Sequence, residues 1–466
     1  MKKYNHLCNP IKQSMTNIEL IVILVGSIGL LLFMILKLKI QAFLALLATA
    51  VFLGFASGMP MEAIVKSIID GMGSTLGFVA CVVGIGAIFG QMLESSGGAE
   101  TLAQYLINRF GKDRAPYALT ITGFIVAIPI FLDVAFIILV PILYALAKDA
   151  KKSLLYFAIP LLAGLAVTHA FVPPTPGPVA TAEIIGADFG WVVLFGLIIG
   201  IPVAIIAGPV FGKYIGKKIH LEVPRTFETP DVKSLKEMSL PPFWQVTSII
   251  AVPLVLILSN TVSGVWAGTH GMKDVFWVKL LAFAGHPIIA LLIATFLAIY
   301  FIGIRRGFTG DAILQLSAKS LAPAGLIILV TGAGGVFKQL LVDSGMGVQL
   351  AESMSHSAMP PIALAYILAL VIRVSQGSAT VAMITSAGIV APLLSSFALS
   401  DPQKALIVIA IAAGATTASH VNDSGFWLVG KYLGMTEKQT LQSWTVMETI
   451  ISVMGFSLAF LLSFFF

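Results

Sequence analysis

The 466-residue chain is 58% hydrophobic and only 11% charged, against roughly 25% charged residues in soluble domains. So few charges cannot cover a water-soluble fold of this size, whereas a bilayer-embedded chain meets lipid over most of its surface. The net charge of +6 is carried by loops, where it reads as an orientation signal and not as a nucleic-acid footprint.

The first apolar run, 18–36, is longer than a signal-peptide core and has no small-residue cleavage site behind it, so it is expected to remain as a helix. A polar tail, 1–17, precedes it. The two cysteines, Cys8 and Cys81, give neither a disulfide framework nor a metal-ligand spacing, and no cofactor is expected. A spanning helix needs about 20 mainly apolar residues. Spans of that kind fit at 18–36, 40–57, 74–93, 153–171, 190–211, 243–262, 277–304, 322–342, 403–420 and 440–464. Two further stretches, 116–147 and 360–397, are too long for one span and are interrupted, the first at Ile128 to Asp133 and the second at Arg373 to Thr380. Two ordinary antiparallel helices with a tight turn would read similarly. Arms of only about 13–17 residues favour re-entrant helical hairpins.

An internal repeat runs through the chain. Gly84, Gly86, Phe89, Gln91, Leu93, Ser96 and Gly97 recur, at constant offset, as Gly332, Gly334, Phe337, Gln339, Leu341, Ser344 and Gly345. In both halves an interrupted hairpin follows, then an apolar span closing on Thr168-His169 or Ser419-His420, then a break rich in Pro or polar residues. The polar segment 212–242 separates the halves. The expected architecture is therefore an all-α polytopic membrane protein with repeats at 18–211 and 243–466, each of about five spans plus a re-entrant hairpin. With the N-terminus outside, the inside loops hold most of the 28 basic residues, among them those of a cytoplasmic linker at 212–242. The outside segments hold only Lys2, Lys3, Lys12, Lys66, Lys273, Lys279 and Lys404. That asymmetry follows the positive-inside rule, and the odd number of crossings per half makes the repeats inverted. Inverted repeats with broken helices at the midplane are the design of alternating-access carriers.

Arg373 is the sharpest chemical signal. A cation inside an apolar segment marks an anion site or a structural partner, and Asp133 or helix carbonyls are the partners considered. Gln376, Gly377, Ser378 and Thr380 follow it. Gly377 permits close backbone approach, the hydroxyls donate, and the half-helix starting near Ser378 turns free N–H groups toward the midplane. Together they suit a carboxylate. Asp133, at the other tip, is a candidate proton carrier, a helix cap or a contact for substrate hydroxyls. His169 precedes a Pro-rich break containing Thr175, and His420 opens one containing Asn422 and Asp423. Both breaks are expected to line a cavity, with His169 and His420 joining Asp133 as candidates for proton coupling. Glu448 faces the same choice between site and packing, with packing favoured. Glycine clusters in mid-helix read as close helix packing. No HExxH or phosphate-loop pattern supports an enzyme, and two opposed hairpins argue for a gated carrier over an open channel.

The segments 168–178, 334–345, 377–382, 419–427 and 444–452 resemble the gluconate:proton symporter family over nearly the whole chain. That family includes carriers for gluconate, related sugar acids, glycerate and D-serine. The resemblance implies a fold of the broad ion-transporter class with paired hairpins, residence in the bacterial inner membrane, and cation-coupled uptake of a small hydroxylated carboxylate. A homo-oligomer is compatible with it. The pattern departs at Leu132-Asp133 and at Thr175, where family members often carry an aromatic-Glu pair and His.

Overall fold

A computed structural model describes residues 17–224, 240–272, 274–346, 359–394 and 397–466. Most of the polar tail, much of the 212–242 segment with Arg225, Lys233 and Lys236, and Lys273 lie outside the described residues. Among the described residues there is no strand, and seven helices are long and apolar enough to cross a membrane.

Helices α1 (Asn17–Leu36) and α2 (Ala42–Ala56) form an antiparallel pair leading into α3 (Met61–Ser95). At 35 residues, α3 is about 50 Å long, so it runs obliquely through or projects beyond a core of about 30 Å. Gly97, in the left-handed conformation, redirects the chain into the amphipathic α4 (Gly98–Phe110), which buries Leu102, Ala103 and Leu106. The first hairpin is α5 (Ala115–Val126) and α6 (Leu132–Ala150). Helix α7 (Leu155–Phe171) breaks at Val172–Thr175 and resumes as α8 (Pro176–Ile185), because Pro removes donors and clashes with the preceding turn. Helix α9 (Phe189–Ile205) continues through a π turn, Ile206–Val210, into α10 (Phe211–Lys218). The last helix of the first half thus ends seven residues beyond the expected boundary at 211, with Lys217 and Lys218 in its final turn, where cations favour the helix end.

Helix α11 is Phe243–His270. The single span expected at 277–304 is two pieces, α12 (Phe276–Ala284) and α13 (Pro287–Ala298), since Pro287 cannot donate and biases His286 away from helix. Then come α14 (Gly310–Asp343), the second hairpin of α15 (Pro361–Gln376) and α16 (Ala379–Leu393), and α17 (Asp401–Thr416). Helix α17 stops short of the expected 420. A break at 417–423 leads to α18 (Ser424–Leu433), and after a π turn at Leu441–Thr445 the last helix, α19 (Val446–Leu462), ends the fold.

The repeat-bearing helices α3 and α14 pack antiparallel. Ser67 donates to Asp343 at 2.6 Å, Gly71 lies against Gly335 and Val336, and Gly84 faces Leu321. A Cβ on Gly71 would fall 2.8 Å from the Gly335 carbonyl, so small residues are what let these backbones touch. Lys338, within α14, donates to the Ile184 carbonyl at 2.6 Å, which places a cation at the carbonyl end of α8. Helix α5 lies along α7, with Thr120 donating to the Pro160 carbonyl and Thr168 to that of Phe124.

Candidate functional site

Both hairpin tips and both helix breaks meet around one cavity of about 350 Å³. Its wall is built by helix starts. Helix α6 begins there with Leu132 and Asp133, α16 with Ala379 and Thr380, and α18 with Ser424 and Gly425, while Gly177 comes from the first turn of α8. The first N–H groups of a helix have no intrahelical acceptor and the dipole is positive at that end. Convergent helix starts therefore make the cavity a receptor for negative charge.

Arg373 sits in the last turn of α15 and is 3% exposed. One terminal nitrogen donates to Asp423 Oδ2 at 2.6 Å. The structural partner is thus Asp423, from the opposite break, and not Asp133. Asp423 also accepts from the Ser419 hydroxyl and from the Gly425 N–H, so it serves wholly as an acceptor while capping α18. Ser419 is held in turn by Trp444 Nε1 at 2.7 Å and, through its carbonyl, by the Thr445 hydroxyl. Arg373 Nε and Nη1, Gln376 Nε2 and His169 Nδ1 are buried without a protein partner. Buried N–H groups without an acceptor are costly, and each of the two guanidinium nitrogens can donate a charge-assisted hydrogen bond to a ligand.

Gly377 ends α15 at φ 88°, and a Cβ there would run into the Asn422 carbonyl. Asn422 Nδ2 donates to the Val374 carbonyl at 2.9 Å. The tip of the second hairpin is thus clamped to the second break by a glycine approach, an amide bond and an ion pair. Ser378 accepts from the Val381 N–H as the N-cap of α16, and Thr380 stands in the first turn of that helix; both line the cavity. Asp133 lies past the N-cap Phe131 of α6 and makes no capping bond. It is exposed toward the cavity that it lines.

The structure therefore gathers Asp133, His169, Arg373, Gln376, Gly377, Ser378, Thr380, Asn422 and Asp423 into one lining. Two expected members fall elsewhere. Thr175 is buried, donates to the Val172 carbonyl at 2.7 Å and lines a small adjoining void with Pro129 and Ile130. His420 bonds the Ala418 carbonyl through Nδ1 at 2.8 Å and stands outside the lining. The two histidines are not equivalent, because His169 lies inside α7 and His420 lies beyond the end of α17. Sequence reasoning missed Thr416, Ser424 and Trp444, and ranked Glu448 as packing; all four line the cavity. Trp444 stands in a π turn, Leu441–Thr445, a feature common at functional sites, and Glu448 in the helix that follows it. Among the described residues, no group of three or more His, Cys, Asp and Glu side chains is arranged to hold a metal ion.

The GntP family permease profile matches residues 18–465. A low-affinity gluconate transporter of Escherichia coli is 41% identical over 441 residues, covering 95% of this chain and 97% of that protein. A gluconate permease of Pseudomonas aeruginosa is 42% identical over 447 residues, covering 94% and 96%. In fold, the chain is similar to the solved YdaH transporter of Alcanivorax borkumensis, with a TM-score of 0.63 at 13% identity over 87% of this chain and 89% of that one.

Proposed function

The chain belongs to the GntP permease family, membrane transporters and not enzymes, and from that premise we propose that it takes up gluconate, or a closely related small hydroxylated carboxylate, together with protons by alternating access. It is a multi-pass protein of the bacterial inner membrane. The observation that carries the substrate reading is the pair of unpartnered guanidinium nitrogens of Arg373 in a cavity walled by helix starts. Arg373 Nη1 takes the substrate carboxylate, with N–H groups from the start of α16, and leaves Nε for a further acceptor on the ligand. Thr380, Gln376, Asn422 and Asp133 meet the hydroxyls. Asp133 takes the coupled proton, with His169 next to it in the lining; His420, outside the lining, has no part. A cavity of this volume is at the lower end of the range for small-molecule sites, which suits a short polyol acid.

The test is a labelled-uptake panel in proteoliposomes, with gluconate, idonate, glycerate and D-serine offered under imposed pH and sodium gradients. Concentrative gluconate uptake driven by a pH gradient is the expected result. Uptake driven only by sodium would overturn the coupling, and preference for an amino acid would overturn the substrate.

Alternating access rests on the two halves, 18–211 and 243–466, being inverted repeats. The antiparallel crossing of α3 and α14 supports this. So does the sorting of end contacts into two sets. One joins Ser67 to Asp343, Lys338 to Ile184 and Thr261 to Asp188. The other joins Thr101 to Pro241, Tyr144 to Tyr432 and Leu154 to Leu221. The second set contains the basic loop ends at Lys148, Lys151, Lys152 and Lys431, as the positive-inside rule requires of a cytoplasmic face. Single cysteines at Ser234 and Ser355, two positions outside the described residues, should react with an impermeant maleimide from inside and outside respectively once Cys8 and Cys81 are replaced. Labelling of both from one face would remove the inverted arrangement.

A further inference from the structure

The reading above leaves one ionisable group of the cavity without a task. Glu448 stands in the first turn of α19, is 4% exposed and lines the same cavity. Arg373 from α15, Asp423 from the second break, Asp133 from α6 and His169 from α7 line the same space. Helices α9 and α17, which also pack on α19, bring no ionisable side chain to it. The cavity thus holds three carboxyl groups against one guanidinium. Asp423 and Arg373 already match each other at 2.6 Å. An arriving carboxylate adds a further negative charge to a cavity that still contains Asp133 and the buried Glu448. Like charges in such a space repel far more strongly than in water. Protonating Asp133 alone leaves the substrate and Glu448 both ionised.

We propose that Glu448 binds a second proton with the substrate, so that each anion crosses with two protons and the cycle moves one net positive charge inward. This rests on the proton-coupled reading given above. The balance is simple. The empty carrier returns with Asp133 and Glu448 ionised. The loaded carrier moves with both protonated and with the substrate still a carboxylate on Arg373. The two protons and the anion leave together on the inner side, and no covalent bond in the substrate changes.

The experiment is gluconate uptake into proteoliposomes at equal pH on both sides, with an inside-negative potassium diffusion potential set by valinomycin. The wild type should accumulate gluconate about tenfold for every 59 mV, the value for one net charge. Glu448→Gln should accumulate none under the potential alone yet respond to a pH gradient, as a carrier moving one proton with one anion would. Glu448→Asp, which keeps a carboxyl, should retain sensitivity to potential. A wild type that responds to a pH gradient but not to potential overturns the second proton while leaving proton coupling intact. A wild type indifferent to both overturns the coupling reading itself. A Glu448→Gln protein that still follows the potential assigns the second proton elsewhere and also overturns the proposal. Should Glu448→Gln fail to insert, an unmodified Glu448 after a hydrophobic carbodiimide treatment of the wild type, read by peptide mass mapping, does the same.

Discussion

Replacing Arg373 by lysine is expected to weaken gluconate binding by roughly tenfold to a hundredfold, the effect of losing one charge-assisted contact of about 1.5–3 kcal/mol. The geometry explains why a retained charge is not enough. Arg373 spends one terminal nitrogen on Asp423 and leaves Nε and the other terminal nitrogen for a ligand. A guanidinium can do both because its donors are fixed in one plane, whereas an ammonium is a single point charge. A lysine would stay with Asp423 or turn to the substrate, at the cost of the other. Arg373→Ala should be worse in a different way. It strips the partly buried Asp423 of its cation, and breaking a fully buried pair typically costs about 3–5 kcal/mol, an upper bound here, so lower yield and thermal stability should accompany lost binding. Thr380→Val keeps the shape and removes one hydroxyl, so binding should fall several-fold, by about 1 kcal/mol, with membrane insertion unchanged. Equilibrium binding of labelled gluconate and of its uncharged amide separates these effects. The amide should bind the wild type weakly and lose little more in Arg373→Lys. If Arg373→Lys and Thr380→Val both hold the acid as tightly as the wild type, the carboxylate sits elsewhere, and the His169 end of the cavity is the first place to look.

Where the sequence was informative, the reason was local. Pro129 and Gly377 interrupt apolar runs, and both hairpins appear where those residues stand. A cation in lipid has few options, so Arg373 pointed to the site from composition alone. Its partner was not legible, because Asp423 lies fifty residues away on a separate break and no periodicity relates two breaks. Thr175 and His420 show the converse. Each sits in a segment that does reach the site region, but a sequence pattern does not say which way a side chain turns, and in both cases a nearby carbonyl takes it. Ser378 lines the cavity and also caps a helix, as short hydroxyls at helix starts commonly do. Glu448 was ranked as packing because an acid early in a terminal apolar helix has many structural uses. Only the closure of α19 against the two breaks puts it in the cavity.

Asp133→Asn should lower the gluconate gradient that a pH difference sustains by about tenfold for each pH unit imposed, since one proton crossing one unit carries 1.36 kcal/mol. The argument begins with the position of the residue. Asp133 is in the first turn of α6, at the tip of the first hairpin, and it faces the cavity without a capping role. It lines the same cavity as the Arg373 and Asp423 pair. A carboxyl there meets the substrate, and a proton on it removes one of the charges that oppose the anion. Asparagine keeps the size and polarity but cannot exchange a proton, so the mutant should still swap labelled for unlabelled gluconate across the membrane when no net uptake is required. The lost interaction between the acid and the start of α6 is worth only about 0.3–1 kcal/mol, so stability should barely change. Asp133→Glu restores the carboxyl on a longer arm and should restore the response to the pH gradient. Accumulation by Asp133→Asn at the wild-type level would take the proton away from the first hairpin, and the coupling would then have to be sought in His169 and Glu448 alone.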